Sequence, residues 1–495
     1  MNDEAASDAE PPGRGSDFLQ LDAAAVPAAG KADWLAGRLR QAIADGRLTV
    51  GSRLPSTRLL AVELGLSRGV ITEAYRRLAE DGHVEGRRRG GTVVVAAPRP
   101  GPLAPARQPD RAPADLFTEP ASDVFDALRA APAHVDFTPG RPDLAVFPRA
   151  AWLRAERAVL SELSADTLGY GDPRGALPLR RAVADWLARG RGIGVTPDEL
   201  IVVSGTAQAL TLVHPVLRAD GVDAVAVEDP GSLGARQHLN HGGLATPPVP
   251  VDADGVRVDA LRATGARAVL LTPAHQFPMG VVTSGERRRA LQRWAQEGGL
   301  ILEDDYDAEH RYDRPPVPAL RALLADQVCY LGSVSKLLAP ALRIGWMVPP
   351  PRHREALTDA KRFTDLGNPV LPQLVLARLM ENGDLERHLR MLRGRHRRRR
   401  DAMIAAVAAH LPGTVVHGAA AGLHLTVTYR ADVPDTDLAA AALARGVKCQ
   451  PLSWHRRLPG RPGLVLGYSA TPPGVIAEGV AVLGRALREL SGRAR

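Results

Sequence analysis

QVCYLGSVSKLLAPALRIGW, residues 327–346, opens as a short apolar run and breaks into a polar loop that carries one lysine. The run is bounded by glycine and serine and has the length of a strand buried on both faces. Four runs of the same kind lie upstream: LIVVSG (200–205), VDAVAVEDP (222–230), RAVLLTP (267–273) and GLILEDDYD (299–307). Helix-like stretches separate them, and no internal repeat is present. This rhythm predicts an α/β fold around a mostly parallel, buried sheet. Lys336 follows its strand directly. A lysine that attacks a carbonyl must hold an unprotonated amine near neutral pH. Ser333 and Ser335 offer hydroxyls to an anion, and Arg343, seven residues on, can return to the same anion.

Two upstream segments supply matching chemistry. GLILEDDYDAEHRY ends a strand with acids and a phenol, at the edge where such sheets collect ligands. There Asp304 can hydrogen-bond a pyridine nitrogen and Tyr306 a phenolic oxygen. IVVSGTAQAL (201–210) passes from strand to helix through Ser204-Gly205-Thr206. Glycine permits close backbone approach, and the free N–H groups of a new helix suit a phosphate. Each segment alone is ordinary: acidic turns are mostly solvated, SGT caps many helices, and an isolated SxSK is mostly a loop. Together they converge on pyridoxal 5'-phosphate.

The 495 residues suffice for two or three domains. No run approaches the ~18 apolar residues of a membrane span. The acidic opening MNDEAASDAEPPGRGSD has no apolar core, so no secretory signal is expected. Two cysteines, Cys329 and Cys449, can build neither a disulfide framework nor a thiolate zinc site. No metal is expected, and the cytoplasm is the expected compartment. Net charge is +8, concentrated between Lys31 and Val95, where twelve basic residues face seven acidic ones.

Residues 1–16 read as a disordered tail, and 96–119, rich in Pro and Ala, as a semi-rigid linker. They set off a small basic unit (17–95) from a large unit (120–495). In the basic unit, Trp34, Leu35, Leu39 and Ile43 have helical spacing. A second helix follows Pro55-Ser56, Gly65 breaks it, and a third begins after Ser67 as N-cap. On the third, Val70, Ile71, Ala74, Tyr75 and Leu78 form an apolar stripe, while Arg68, Thr72 and Arg76 stand together away from it. This is the pattern of a recognition helix in a major groove. His83-Val84 and Thr92–Val95 read as strands joined by Gly86-Arg87-Arg88-Arg89-Gly90-Gly91, a wing able to lay guanidinium groups on phosphates or in a minor groove.

GRLRQAIADGRLTVGSRLPSTRLLAVELGLSRGVITEAYRRLAEDGHVEGRRRGGTVVV (37–95) resembles the winged helix–turn–helix of GntR-type transcription regulators over its whole length. The resemblance implies operator contacts from Arg58, Ser67, Arg68, Thr72 and the wing near Arg89. Arg76 and Arg88 complete the expected DNA set. Arg68 is the candidate guanine reader, and Arg58 and the wing arginines are phosphate binders. Gly69 occupies a position where a side-chain donor is often found.

The large unit resembles a fold-type I aminotransferase domain over roughly 135–495. The motifs are FTPGRPDLAVFPRAAW (137–152), YGDPRGALPLRRAVADWL (170–187), the SGTAQ turn, VEDPG (227–231), TPAHQFPMG (272–280), EDDYD and SVSKLLAPALR. The order winged helix, linker, aminotransferase-like domain resembles the MocR subfamily of GntR regulators. By position, the resemblance implies Lys336 as the internal aldimine lysine, serving sensing rather than turnover. Asp304 becomes the pyridine partner and Tyr306 the phenolic contact, with Gly205, Thr206, Ser333, Ser335 and Arg343 on the phosphate. Tyr170 would reach a partner subunit's cofactor, implying a homodimer, with a domain-swapped head-to-tail form open. The expected partners are operator DNA and an amine, amino-acid or vitamin B6 effector, in a cytoplasmic, nucleoid-associated protein.

Three departures bear on the ligand. Ser232 follows VEDPG where an aromatic is usual, and Met279 fills a small-residue position. GLVLGYS (463–469) has no arginine where aminotransferases clamp a substrate carboxylate, with Arg461 or Arg236 as substitutes. Physiological turnover is therefore not expected, although an aminotransferase half-reaction stays open. His275 and His455 read as packing or hydrogen-bonding residues rather than acid–base groups. The alternatives are an active aminotransferase with an accessory DNA-binding module, and a DNA-binding protein whose large domain has lost its cofactor.

Overall fold

The computed structural model describes residues 30–87, 91–96, 113–118, 120–312 and 317–493. The chain divides into two compact units, with the break between Gln108 and Pro109. The expected tail (1–16), most of the linker and the wing residues Arg88 and Arg89 lie outside the described residues.

The first unit is built from α1 (Lys31–Ala44), α2 (Thr57–Leu64), α3 (Arg68–Glu80), β1 (Val84–Arg87) and β2 (Gly91–Val94). Ser56 and Ser67 cap α2 and α3, each accepting a backbone N–H from the first helical turn. Gly65 at φ 60° makes the left-handed turn between them. Leu35, Leu39, Leu60, Ile71 and Leu78 are buried in one core, while Val70 is only half-buried. The Tyr75 hydroxyl donates to the Pro55 carbonyl at 2.8 Å, tying α3 to the segment before α2. β1 and β2 pair antiparallel from Val84↔Val94 to Arg87↔Gly91. The hairpin thus runs further into the glycine–arginine segment than its composition suggests, because the ladder supplies partners for those backbone groups.

The second unit carries an eight-stranded sheet: β3 (Ile201–Val203), β4 (Val225–Asp229), β5 (Pro248–Asp252), β6 (Gly255–Val256), β7 (Ala268–Leu271), β8 (Leu300–Asp305), β9 (Val328–Ser333) and β10 (Gly345–Val348). Their order is β3-β10-β9-β8-β7-β4-β5-β6. The run from β9 to β5 is parallel, and β10 lies antiparallel between β3 and β9. β4, β7 and β9 are buried at every position, as helices on both faces require. A smaller antiparallel sheet, β11 (Val415–His417), β12 (His424–Thr428), β13 (Gln450–Pro451) and β14 (Gly463–Gly467), packs with the helices Asp384–His410 and Pro473–Arg493 around its own core.

One expectation is corrected. Pro113–Thr118, inside the expected linker, is a helix. Proline is preorganised for a first helical position. Leu116 and Phe117 are buried, and Phe117 stacks on Trp454 with ring centroids 5.3 Å apart. Two apolar side chains in a Pro/Ala-rich stretch are enough to seat it.

Candidate functional site

The parallel register sets Leu331 beside Asp304, so β8 and β9 deliver Asp304 and the loop to Lys336 at the same edge of the sheet. The turn after β3 adds Gly205, where the helix α4 (Thr206–Ala219) begins. Gly205 has φ 91°, open to glycine, and a Cβ there would lie 3.7 Å from the Arg343 guanidinium and 3.9 Å from Ser335 Oγ. The chain doubles back at Arg343 (φ 51°), returning its side chain to this turn. Among the described residues that guanidinium has no carboxylate partner. Ser333 Oγ accepts the Ser335 backbone N–H at 3.2 Å. Gly205, Ser335, Arg343 and the first N–H groups of α4 thus gather hydrogen-bond donors and one cation at a single point, the chemistry an anion favours.

Lys336 Nζ donates to the Gly140 carbonyl at 2.6 Å. Desolvation holds its pKa below the usual lysine value, against the charges of Asp304 and Asp307. The direction is the one a nucleophilic amine needs. Thr206, expected on phosphate, donates its hydroxyl to Asp304 Oδ1 at 3.2 Å.

Desolvation also raises the Asp304 carboxyl to about 7, opposed by the Thr206 hydrogen bond. The folded chain therefore keeps a proton there that an unfolded aspartate, with its ordinary value of 3.8, has released. The stability tied to this proton is complete below about pH 4 and is lost as pH rises to about 7, by up to ~1.4 kcal/mol per unit. In cofactor-free protein, Asp304→Asn should flatten this part of the stability curve. Chemical denaturation at about pH 5 and about pH 7.5 checks it, and an unchanged slope refutes the assignment.

The phenol side holds residues that sequence reading missed. Tyr306 OH lies 3.1 Å from His275 Nδ1, which is also 2.9 Å from Asp307 Oδ2. Burial, with the Asp307 charge, pushes the phenol well above its ordinary pKa. His275 is buried, and its Nε2 has no partner among the described residues. Gly422 must be glycine: a Cβ there would sit 2.0 Å from the His275 ring. His275 is thus part of the site, whereas His455 is a satisfied packing residue, with Nδ1 accepting the Leu233 N–H and Nε2 3.0 Å from Gln450 Oε1.

Other expected residues fall elsewhere. Tyr170 is 96% exposed and is not brought to Lys336 within this chain. Arg236 donates to the Trp454 carbonyl, and Arg461 lines a cavity whose wall does not include Lys336. Buried Asp143 instead takes both Arg395 and Arg399, at 3.0 and 2.7 Å, and Arg399 also donates to the Ser469 carbonyl. These contacts fasten the Gly140–Asp143 loop to the helix Asp384–His410.

In the first unit, Arg58, Arg68, Thr72 and Arg76 are all exposed. Arg68 Nε reaches Thr57 Oγ1 at 3.4 Å, and neither Arg58 nor Arg68 pairs with a carboxylate among the described residues. Thr72 donates to the Arg68 carbonyl. Ser67 spends its hydroxyl on the helix cap. Arg76 is held by Glu73 and Glu80 along its own helix, which makes it the least available of the four.

Residues 31–94 match the bacterial regulatory proteins of the gntR family, and 135–460 match aminotransferase class I and II. The probable rhizopine catabolism regulatory protein MocR of Rhizobium meliloti is 32% identical over 90% of this chain and 91% of its own. The chain belongs to the MocR subfamily of GntR-type regulators. Another relative of this MocR-type chain, the pyridoxine biosynthesis transcriptional regulator PdxR of Corynebacterium glutamicum, is 31% identical over 88% of this chain and 91% of its own. The large unit is similar to the α-aminoadipate aminotransferase of Thermus thermophilus, solved with N-(5'-phosphopyridoxyl)-L-leucine. That match has a TM-score of 0.68 and 29% identity, covering 77% of this chain and 97% of that one. This MocR-type protein is a helix–turn–helix transcription regulator with an aminotransferase-like domain. No helix among the described residues is long and apolar enough to cross a membrane.

Proposed function

We propose that the regulator binds pyridoxal 5'-phosphate at Lys336 and responds there to an amine, an amino acid or a vitamin B6 compound. The observation that carries this is the pairing of the Lys336 amine, held neutral-leaning beside Asp304, with the un-neutralised Arg343 cradle at Gly205. The donor set fits the cofactor. Arg343, Ser333, Ser335, Gly205 and Thr206 would hold its phosphate, Asp304 its ring nitrogen, and Tyr306, backed by His275, its phenolic oxygen. Once bound, the cofactor supplies a carbonyl carbon that exchanges amines.

Lys336 would be the residue that holds the cofactor, and whenever its amine is not so engaged the Gly140 carbonyl would accept its hydrogen bond. Because Asp143 fastens the same loop to the helix Asp384–His410, the change in Lys336 is felt beyond the pocket. Turnover is not part of the proposal, because the two candidate carboxylate arginines, Arg236 and Arg461, are engaged at the Trp454 carbonyl and at a separate cavity. The DNA contacts are Arg58, Arg68 and Thr72, with Ser67, Arg76, Arg88 and Arg89 secondary. Exposed Tyr170 serves a homodimer whose partner supplies the neighbouring site, in a protein working in the cytoplasm at the nucleoid.

Fluorescence anisotropy on a duplex from its own promoter region tests this. Pyridoxal 5'-phosphate, alone or with candidate amines, should change affinity about fivefold or more. Identical affinity under all of these conditions overturns the sensing role.

A further inference from the structure

Apart from the Lys336 pocket, a cavity of about 440 Å3 opens between the edge of the large sheet and the small C-terminal sheet. Its volume is that of a small-molecule site. Pro230, Pro250 and Met279 line the large-sheet side, and Leu452 and Leu458 face them. None of Lys336, Asp304, Tyr306 or Arg343 takes part.

The polar wall is unbalanced. Arg456, Arg461 and His417 line it against a single carboxylate, Asp229. Asp229 is spent on backbone, accepting the N–H of Arg457 at 2.7 Å and of Leu458 at 3.5 Å, which pins the loop in place. Arg456 donates to the Arg461 carbonyl, fixing the two arginines relative to each other. Among the described residues the Arg461 guanidinium pairs with no carboxylate. His417 Nε2 is 3.0 Å from Thr428 Oγ1, and burial together with the Arg461 charge disfavours its protonated form. Arg236 lies near enough to feel both Arg457 and Asp229, and Asp229 in turn feels Arg236 and Arg456, so one carboxylate is shared among several guanidiniums. A concave, half-apolar wall with surplus guanidinium charge suits an anion that carries an apolar body.

We propose that this cavity is a second small-molecule site, taking an organic carboxylate or phosphate through Arg461 and Arg456 with its apolar part against Met279 and Pro250. Saturation-transfer NMR on the full chain tests this, with benzoate and phenyl phosphate as probes and benzyl alcohol as the uncharged control. Both anions should bind in the millimolar range, and the tighter one identifies the head group. Arg461→Glu, at an exposed position, should weaken them roughly tenfold or more, while Arg461→Lys retains most of the binding. Lys336→Ala should leave binding intact, which separates this site from the cofactor proposal. The idea is overturned by equal binding of benzyl alcohol, undiminished binding to Arg461→Glu, loss of binding in Lys336→Ala, or no millimolar binding of either anion.

Discussion

Lys336→Ala is expected to abolish the visible absorption that the purified protein acquires with pyridoxal 5'-phosphate. Borohydride treatment followed by mass measurement should find an adduct on Lys336 in the parent chain and none in the variant. The effect is expected to be all-or-none because the Lys336 amine is the one placed there: Nζ is fixed by the Gly140 carbonyl, with Asp304 and Asp307 near enough to act on its charge. The fold should survive, since removing a desolvated amine costs less than stranding one. An unchanged spectrum would remove Lys336 from the cofactor site. A lost spectrum with the DNA response retained would separate cofactor binding from regulation.

Arg68→Ala is the second large effect. A bidentate base contact is worth about 1–3 kcal/mol, so specific operator binding should fall roughly 5- to 150-fold while non-specific binding changes little. Arg58→Ala should weaken all sequences alike and lower the salt slope by about one. Arg76→Ala makes the internal comparison: its guanidinium is already engaged by Glu73 and Glu80, so its loss should cost less than either. Specific binding by Arg68→Ala at full strength would remove α3 as the reading helix. Anisotropy titrations at several salt concentrations resolve these cases.

The sheet and the edge that gathers Asp304, Lys336 and Gly205 were legible because each of these residues closes or follows an apolar run. Asp304 is the penultimate residue of β8, Lys336 trails β9, and Gly205 links β3 to α4. The helix caps Ser56 and Ser67 were legible for a similar reason, since a cap is a local event. What stayed hidden was non-local. Gly140 meets a lysine 196 residues away, and Asp143 meets arginines more than 250 residues on. His275 reads as packing until Asp307 and Tyr306 are folded against it. The helix at Pro113–Thr118 was masked by composition, because its stability comes from a slot for Phe117 rather than from propensity. Tyr170 cannot be assigned within one chain, since its expected contact belongs to a second copy.

That slot has a mechanical corollary. Trp454, which stacks on Phe117, precedes His455, whose ring stands edge-on to Phe277 at 5.0 Å, and Phe277 in turn meets Tyr306 at 6.1 Å. Aromatic contacts therefore run from Tyr306 through Phe277 to His455, whose neighbour in sequence, Trp454, seats the Pro113–Thr118 helix, so a Phe117 truncation is felt one peptide bond away from the rings that pack beside Tyr306.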